Sequence, residues 1–387
     1  MALLLVGTSA TTGSAATVLS RQWHLGAMQA ETMWRTSTGE GVTVAVIDTG
    51  VREVPELAGQ LLEGKDFTDG VTGEHDEAGT TAAAVIAGTG KGAGGKESAY
   101  GLAPGAKILP LKVSDGSEAP QSGERSIAIN SDLAPAIRYA ADSEAKVISI
   151  SVTASLSIGG AVDEAVKYAL SKGKLVFAAV GDSEFPERPV QNPAAIPGVT
   201  GVAALGKDLA ALKSSAVGPE VTLSAAGEDV LSACAEPEGL CTSSGTAVAT
   251  AVAAASAALI WAKHPDWTNY QVLRVMVNTV GGPTSGAVRN NYIGYGGVRP
   301  RIALKTPGDP GPADVYPLPD LTETPAAQPG GGGGAGTTPV AATTTEGRNT
   351  AFLVSLGVCA AGLLCLAVAV PLLLTDRRRT RSGLSRP

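Results

Sequence analysis

"VTVAVIDTGV", residues 42–51, is the stretch on which the fold turns. Apart from Thr43 it is apolar at successive positions up to Ile47, ends on Asp48 and breaks at Gly50. A strand with one wet face alternates polar and apolar residues, whereas a continuous run reads as a strand buried on both faces. The pattern recurs. "KILPLKV" (107–113), "KVISISV" (146–152), "KLVFAAVG" (174–181), "VTGVAAL" (199–205) and "VTLSAAG" (221–227) are further short runs of this kind. Between them lie Ala-rich helical stretches: "GTTAAAVIAG" (79–88), "LAPAIRYAADSEA" (133–145), "AVDEAVKYALSKG" (161–173), "GTAVATAVAAASAALIWAKH" (245–264) and the amphipathic "NYQVLRVMVNTV" (269–280). Alternation of this sort predicts an α/β domain, a parallel sheet with helices on both faces.

The composition agrees with that reading. The 387 residues are 44% hydrophobic but only 4% aromatic, with 49 glycines, so the core is expected to be Ala, Val, Ile and Leu packed close to backbone. A net charge of -7 gives no basis for nucleic-acid binding, which needs clustered Lys and Arg. No nucleotide-binding loop, metal-ligand cluster or Asp-rich calcium loop is evident, and no cofactor is expected.

The ends of the chain differ from its middle. Residues 1–20 hold a short apolar run and a small-residue segment that suggests signal cleavage near Ala16, without a basic start, and read as the remnant of a signal peptide. The globular domain is expected over residues 21–306. Residues 307–350 are rich in Pro, Gly and Thr and read as a disordered linker, a tether of about 35–40 Å average span. Residues 351–374, "AFLVSLGVCAAGLLCLAVAVPLLL", carry no charge and are long enough for a transmembrane helix across a hydrocarbon core of about 30 Å. The tail 375–387 contains Arg377, Arg378, Arg379 and Arg381 and is expected on the cytoplasmic side, which places the domain outside the cell membrane. Cys234 and Cys241 flank the turn-forming "AEPEG" and in an oxidising compartment are expected to form a disulfide. Cys359 and Cys365 fall within the apolar span and read as helix-packing residues.

Three segments together resemble the subtilisin-like serine proteases, or subtilases: "GEGVTVAVIDTGV" with Asp48, "AGTTAAAVIAG", and "SSGTAVATAVAAASAALI". The resemblance covers about residues 21–304 and implies a subtilisin-like fold in which Asp, His-Gly-Thr and Gly-Thr-Ser motifs meet as a triad. Within that family the chain is most similar to the mycosins, membrane-anchored subtilases of type VII secretion systems. "RQWHLGAMQAETMWRTSTGEGVTVAVIDTGV", "YGLAPGAKILPLKV", "NYIGYGGVRPRIAL", the Pro-rich tether and the single span carry that likeness. It implies type VII secretion membrane components as partners.

The chemistry departs from the pattern. The histidine position before Gly79 and Thr80 is Ala78, and the nucleophile position after Gly245 and Thr246 is Ala247. The oxyanion asparagine position, in "AAVGD", is Asp182; only Asp48 of the triad remains. Alanine can neither accept a proton nor attack a carbonyl. In subtilisin, losing either group costs on the order of a millionfold in turnover. A carboxylate at 182 accepts hydrogen bonds where an amide would donate one to the oxyanion.

Nearby residues offer poor replacements. His75, three residues before Ala78, reads as an exposed loop histidine; Ser243 and Ser244 read as caps of the helix near Thr246; His24 and His264 read as structural or surface residues. Asp48 itself is expected to accept local backbone and Thr hydrogen bonds. Gly50, Gly79, Gly181 and Gly245 are turn positions that serve the fold. The expectation is therefore an inactive pseudoprotease, a scaffold or a binder of extended peptides in its cleft. The alternative is an active serine endopeptidase acting on secreted substrates.

Overall fold

In the computed structural model, the described residues are 17–68, 77–117, 122–155, 160–183, 188–236, 239–283 and 288–318, all within the first of two compact units, Met1–Ala326. The strands among them are β1 (Thr43–Asp48), β2 (Lys65–Asp66), β3 (Thr89–Lys91), β4 (Glu97–Tyr100), β5 (Lys107–Lys112), β6 (Val147–Ile150), β7 (Leu175–Ala179), β8 (Thr200–Leu205), β9 (Val221–Ala226), β10 (Val230–Ala233) and β11 (Leu240–Ser243). The helices are α1 (Val18–Arg21), α2 (Trp23–Met28), α3 (Ala30–Trp34), α4 (Glu77–Ala87), α5 (Ser122–Asp142), α6 (Ala161–Ser171), α7 (Thr246–Lys263), α8 (Asn269–Asn278) and α9 (Pro300–Lys305).

Seven strands form one sheet in the order β2-β5-β1-β6-β7-β8-β9, every pair parallel. The continuous apolar runs follow from that position. Along β1, Val44 and Val46 join the core layer built by α4 and α7, while Ala45 and Ile47 join the layer built by α5 and α6. All four are fully buried, so polar residues on either side would lose water without gaining partners. The few aromatic side chains are replaced by alanine: α7 buries Ala249, Ala251, Ala253, Ala254, Ala255, Ala257 and Ala258 against the sheet, letting its backbone approach closely. Helix α7 is long and apolar enough to cross a bilayer, yet it is the core helix of this domain. The expected span 351–374, with Cys359 and Cys365, and the tail 375–387 lie outside the described residues.

The chain leaves β5 on one side of β1 and returns as β6 on the other. At such a reversal of strand order the connections diverge and open a crevice beyond the carboxyl ends of the strands. Asp48, the last residue of β1, stands at that point.

Two segments outside the sheet differ from the sequence reading. Residues 17–20, assigned above to the signal remnant, cap and begin α1, with the Thr17 hydroxyl accepting the Ser20 N–H at 3.1 Å. Beyond α1, the Gln22 amide donates to the Tyr100 and Leu231 carbonyls and accepts from the Tyr100 N–H, joining the N-terminal helices to β4 and β10. Residues 307–318, assigned above to the tether, lie on α8 instead. Arg274 donates to the carbonyls of Pro310, Pro312 and Val315, Gln271 donates to Gly311, and Leu318 is buried. Local composition marked the segment as linker; side chains of a distant helix hold it in place.

Candidate functional site: the crevice at Asp48

Asp48 is 2% exposed. Its Oδ1 accepts from the Thr49 N–H at 2.7 Å and from the Thr49 hydroxyl at 3.3 Å, as the sequence reading expects. Its Oδ2 is buried with no hydrogen-bond partner among the described residues, and the nearby Ser151 hydroxyl makes no well-formed hydrogen bond either. Burial pushes the Asp48 carboxyl above its ordinary range, against the opposing pull of the Thr49 and Ser151 dipoles, and the Asp115 carboxylate adds to the rise.

Helix α4 begins directly over this carboxylate. A Cβ added to Gly79 would stand 2.0 Å from the Gly50 carbonyl oxygen and 3.1 Å from the Asp48 Cβ, so glycine is the residue that lets the helix start there. The Thr80 hydroxyl accepts the Arg52 N–H at 2.8 Å and ties the helix to the loop after β1. Ala78 is thereby placed at the helix mouth, exposed, one residue from the contact with Asp48. His75 lies outside the described residues.

The second helix start arrives at the same carboxyl edge of the sheet, beyond β7. Its N-cap, Gly245, has φ 122° and supplies no side-chain bond. The sequence reading gives Ser243 and Ser244 the capping role, and the structure does not: the Ser244 hydroxyl turns away and accepts the Asp229 N–H at 2.9 Å. Asp182 takes the role from across the cleft. Its Oδ2 accepts from the Thr246 N–H at 2.8 Å and the Thr246 hydroxyl at 2.7 Å, and its Oδ1 accepts from Ser214 at 3.2 Å. A carboxylate at a helix N-terminus is favoured by the unpaired N–H groups and the helix dipole. The Thr246 hydroxyl also accepts the Gly181 N–H at 3.2 Å, closing the joint between β7 and α7. Ala247, half-buried, is the second residue of α7.

Asp48 and Ala78 thus lie together beyond β1, and Asp182 and Ala247 together beyond β7, two strands along in the same sheet. Asp182 is engaged as an acceptor, and at 78 and 247 the side chains are methyl groups. The hairpin of β10 and β11, which leads into α7, is closed by the expected Cys234–Cys241 disulfide with a Cα separation of 5.7 Å. No group of His, Cys, Asp and Glu among the described residues is placed to hold a metal ion.

The profile of the subtilase family, Peptidase_S8, matches residues 39–296. The chain belongs to the subtilase family. Among its curated relatives, Mycosin-3 of Mycobacterium tuberculosis (strain ATCC 25618 / H37Rv) is 28% identical over 89% of this chain and 82% of its own length. The subtilisin of Bacillus sp. (strain TA39) is 31% identical over 62% of this chain, which spans 60% of that relative's length. Among solved structures, a chain of the intact ESX-5 inner membrane complex superposes with a TM-score of 0.64 at 25% identity, covering 94% of this subtilase and 92% of that chain.

Two histidines are among the described residues. His264 stacks on Trp267 with ring centroids 3.8 Å apart, at the end of α7. His24 is fully buried, and the sequence held no signal for that, because its burial depends on residues that the chain brings back from beyond position 200.

Proposed function

We propose that this subtilase is a mycosin-like pseudoprotease, catalytically silent, that serves a type VII secretion complex as a scaffold or peptide-binding module. One observation carries the reading: both helix mouths at the Asp48 crevice present methyl groups, Ala78 and Ala247, where the family's chemistry needs a base and a nucleophile. The Oδ2 of Asp48 supports it, since it has no hydrogen-bond partner among the described residues, whereas in a triad the second carboxylate oxygen accepts the histidine N–H. The commitment of Asp182 to the α7 N-terminus supports it further, since a group accepting there offers no proton to an oxyanion. The Ser244 hydroxyl, three positions before Ala247, already accepts a backbone N–H.

The likeness to Mycosin-3 and to a chain of the ESX-5 inner membrane complex supports placing it beside such a complex. In this reading residues 351–374 anchor the domain by a single span, and the domain stands on the extracytoplasmic side. An extended peptide lies in the crevice as an added strand.

Covalent labelling of the full chain by a fluorophosphonate serine-hydrolase probe tests the reading, beside an Ala78→His, Asp182→Asn, Ala247→Ser triple variant. Labelling of the triple variant alone, at the hydroxyl introduced at position 247, is the expected result. Labelling of the unchanged chain at any serine sinks the proposal and identifies the nucleophile.

A further inference from the structure

A strap of residues 307–318 lies on α8 without a backbone–backbone hydrogen bond to the rest of the described residues. Side chains hold it instead. Arg274 donates to the carbonyls of Pro310, Pro312 and Val315, Gln271 to that of Gly311, and the hydroxyl of Thr268, the N-cap of α8, to that of Ala313. Residues 268, 271 and 274 are three apart, which sets them in one row along a helix. Pro310, Pro312 and Pro317 have no N–H, so the strap meets this row of donors with carbonyls. The apolar part of the hold lies at the far end, where Leu318 is buried and the Tyr316 ring meets Tyr270 edge-on with centroids 5.5 Å apart. Residues 312–315 between them are exposed.

Nothing in these contacts distinguishes the strap of one copy from that of another. Donors that read carbonyls, with one apolar slot at the end, fit an identical strap arriving from outside equally well. When two copies exchange identical elements, each site regains what it gives up, which makes exchange a low-cost route to association. The hinge is short and contains a glycine in the left-handed region. The four Cα steps from Thr306 to Pro310 span at most about 14 Å, and Gly308 has φ 75°. A strap can therefore reach an α8 that abuts its own and cannot reach one farther off.

We propose that α8 is a docking site for the strap of a second copy of this chain, and that two copies associate by exchanging straps. In the exchanged pair, Arg274 of each copy donates to the Pro310, Pro312 and Val315 carbonyls of the other. The strap already seated names the occupant, because a second copy repeats its sequence. The association does not depend on what the Asp48 crevice does.

Photo-crosslinking between two isotopic forms of the full chain, mixed in detergent micelles, tests it. The light form carries benzoylphenylalanine in place of Val315, a residue 51% exposed whose carbonyl Arg274 holds. The heavy form is labelled with heavy nitrogen and is otherwise unchanged. Mass spectrometry should find links from position 315 of the light form to α8 of the heavy form. Leu318→Asp in the heavy form, which unseats that form's own strap, should raise these mixed links at least twofold. Arg274→Gln added to it should cut them at least tenfold; Arg274→Lys, which keeps the charge and loses the planar fork, replaces it where the Gln variant does not melt cooperatively. Links confined to the light form overturn the proposal, as do mixed links that the change at Arg274 leaves undiminished.

Discussion

At Asp48 a carboxylate has been kept without the histidine that would share its charge. Burial raises its pKa in the folded chain above the unfolded value, so the stabilisation this group contributes is fully present in acid and is lost as the pH rises through the folded pKa. Asp48→Asn removes the charge and leaves an oxygen to accept from Thr49. The variant should be more stable than the parent at pH 7, with the gain shrinking toward pH 4 as the carboxyl of the parent takes up its proton. Urea midpoints at the two pH values measure this, and a loss of stability at pH 7 would mean that the carboxylate has a structural role beyond its bonds to Thr49. His24 has the opposite dependence. Burial lowers its pKa to about 4, so its contribution is whole above the unfolded value of 6.5 and falls by about 3 kcal/mol as the pH drops toward 4. In His24→Leu the acid-side slope of stability between those values should flatten.

The element that decides the crevice is the turn into α7, held on one side by Asp182 and preceded on the other by the disulfide-closed hairpin of β10 and β11. Replacing both cysteines, Cys234→Ala with Cys241→Ala, should cost about 2–3 kcal/mol, the chain-entropy value for so short a loop. Equilibrium denaturation of the double variant against the oxidised parent checks it; coincident curves would show that the strand pairing alone holds the hairpin. Elements of this kind were legible from residues 42–280 to unequal degrees. Runs such as Val42–Ile47 announce a doubly buried strand because burial on both faces removes alternation, and Ala78 and Ala247 could be placed because each follows or precedes a Gly-Thr pair that the helix start requires. The cap of α7 was not legible. Ser244 has the right chemistry close by in sequence, but Asp182, from the segment after β7, accepts the Thr246 N–H instead, and only the folded sheet brings the two together. The burial of His24 and the seating of residues 307–318 were hidden for the same reason: each depends on partners far along the chain.

For the whole molecule, the docked segment shifts the edge of the folded domain from residue 306 to at least 318. A chain ending after Thr306 loses the buried Leu318, the half-buried Tyr316 and the carbonyls that Arg274 and Gln271 reach. Relative to a chain ending after Leu318, it should be less stable by about 2 kcal/mol, roughly the burial of one large apolar side chain. Thermal melts of the two chains settle it, and equal transitions would mean that the segment rests on the domain without supporting it. The clasp at the other end bears on how the protein is made. Gln22 bonds a carbonyl 209 positions later, and the Ser37 hydroxyl donates to the Leu259 carbonyl 222 positions later. A ribosome makes residues in order, and contacts of such separation wait for the later partner to emerge. Residues 22–37 therefore reach their places only after partners more than 200 positions later are available, and throughout that interval the stretch remains open chain, within reach of whatever machinery meets it.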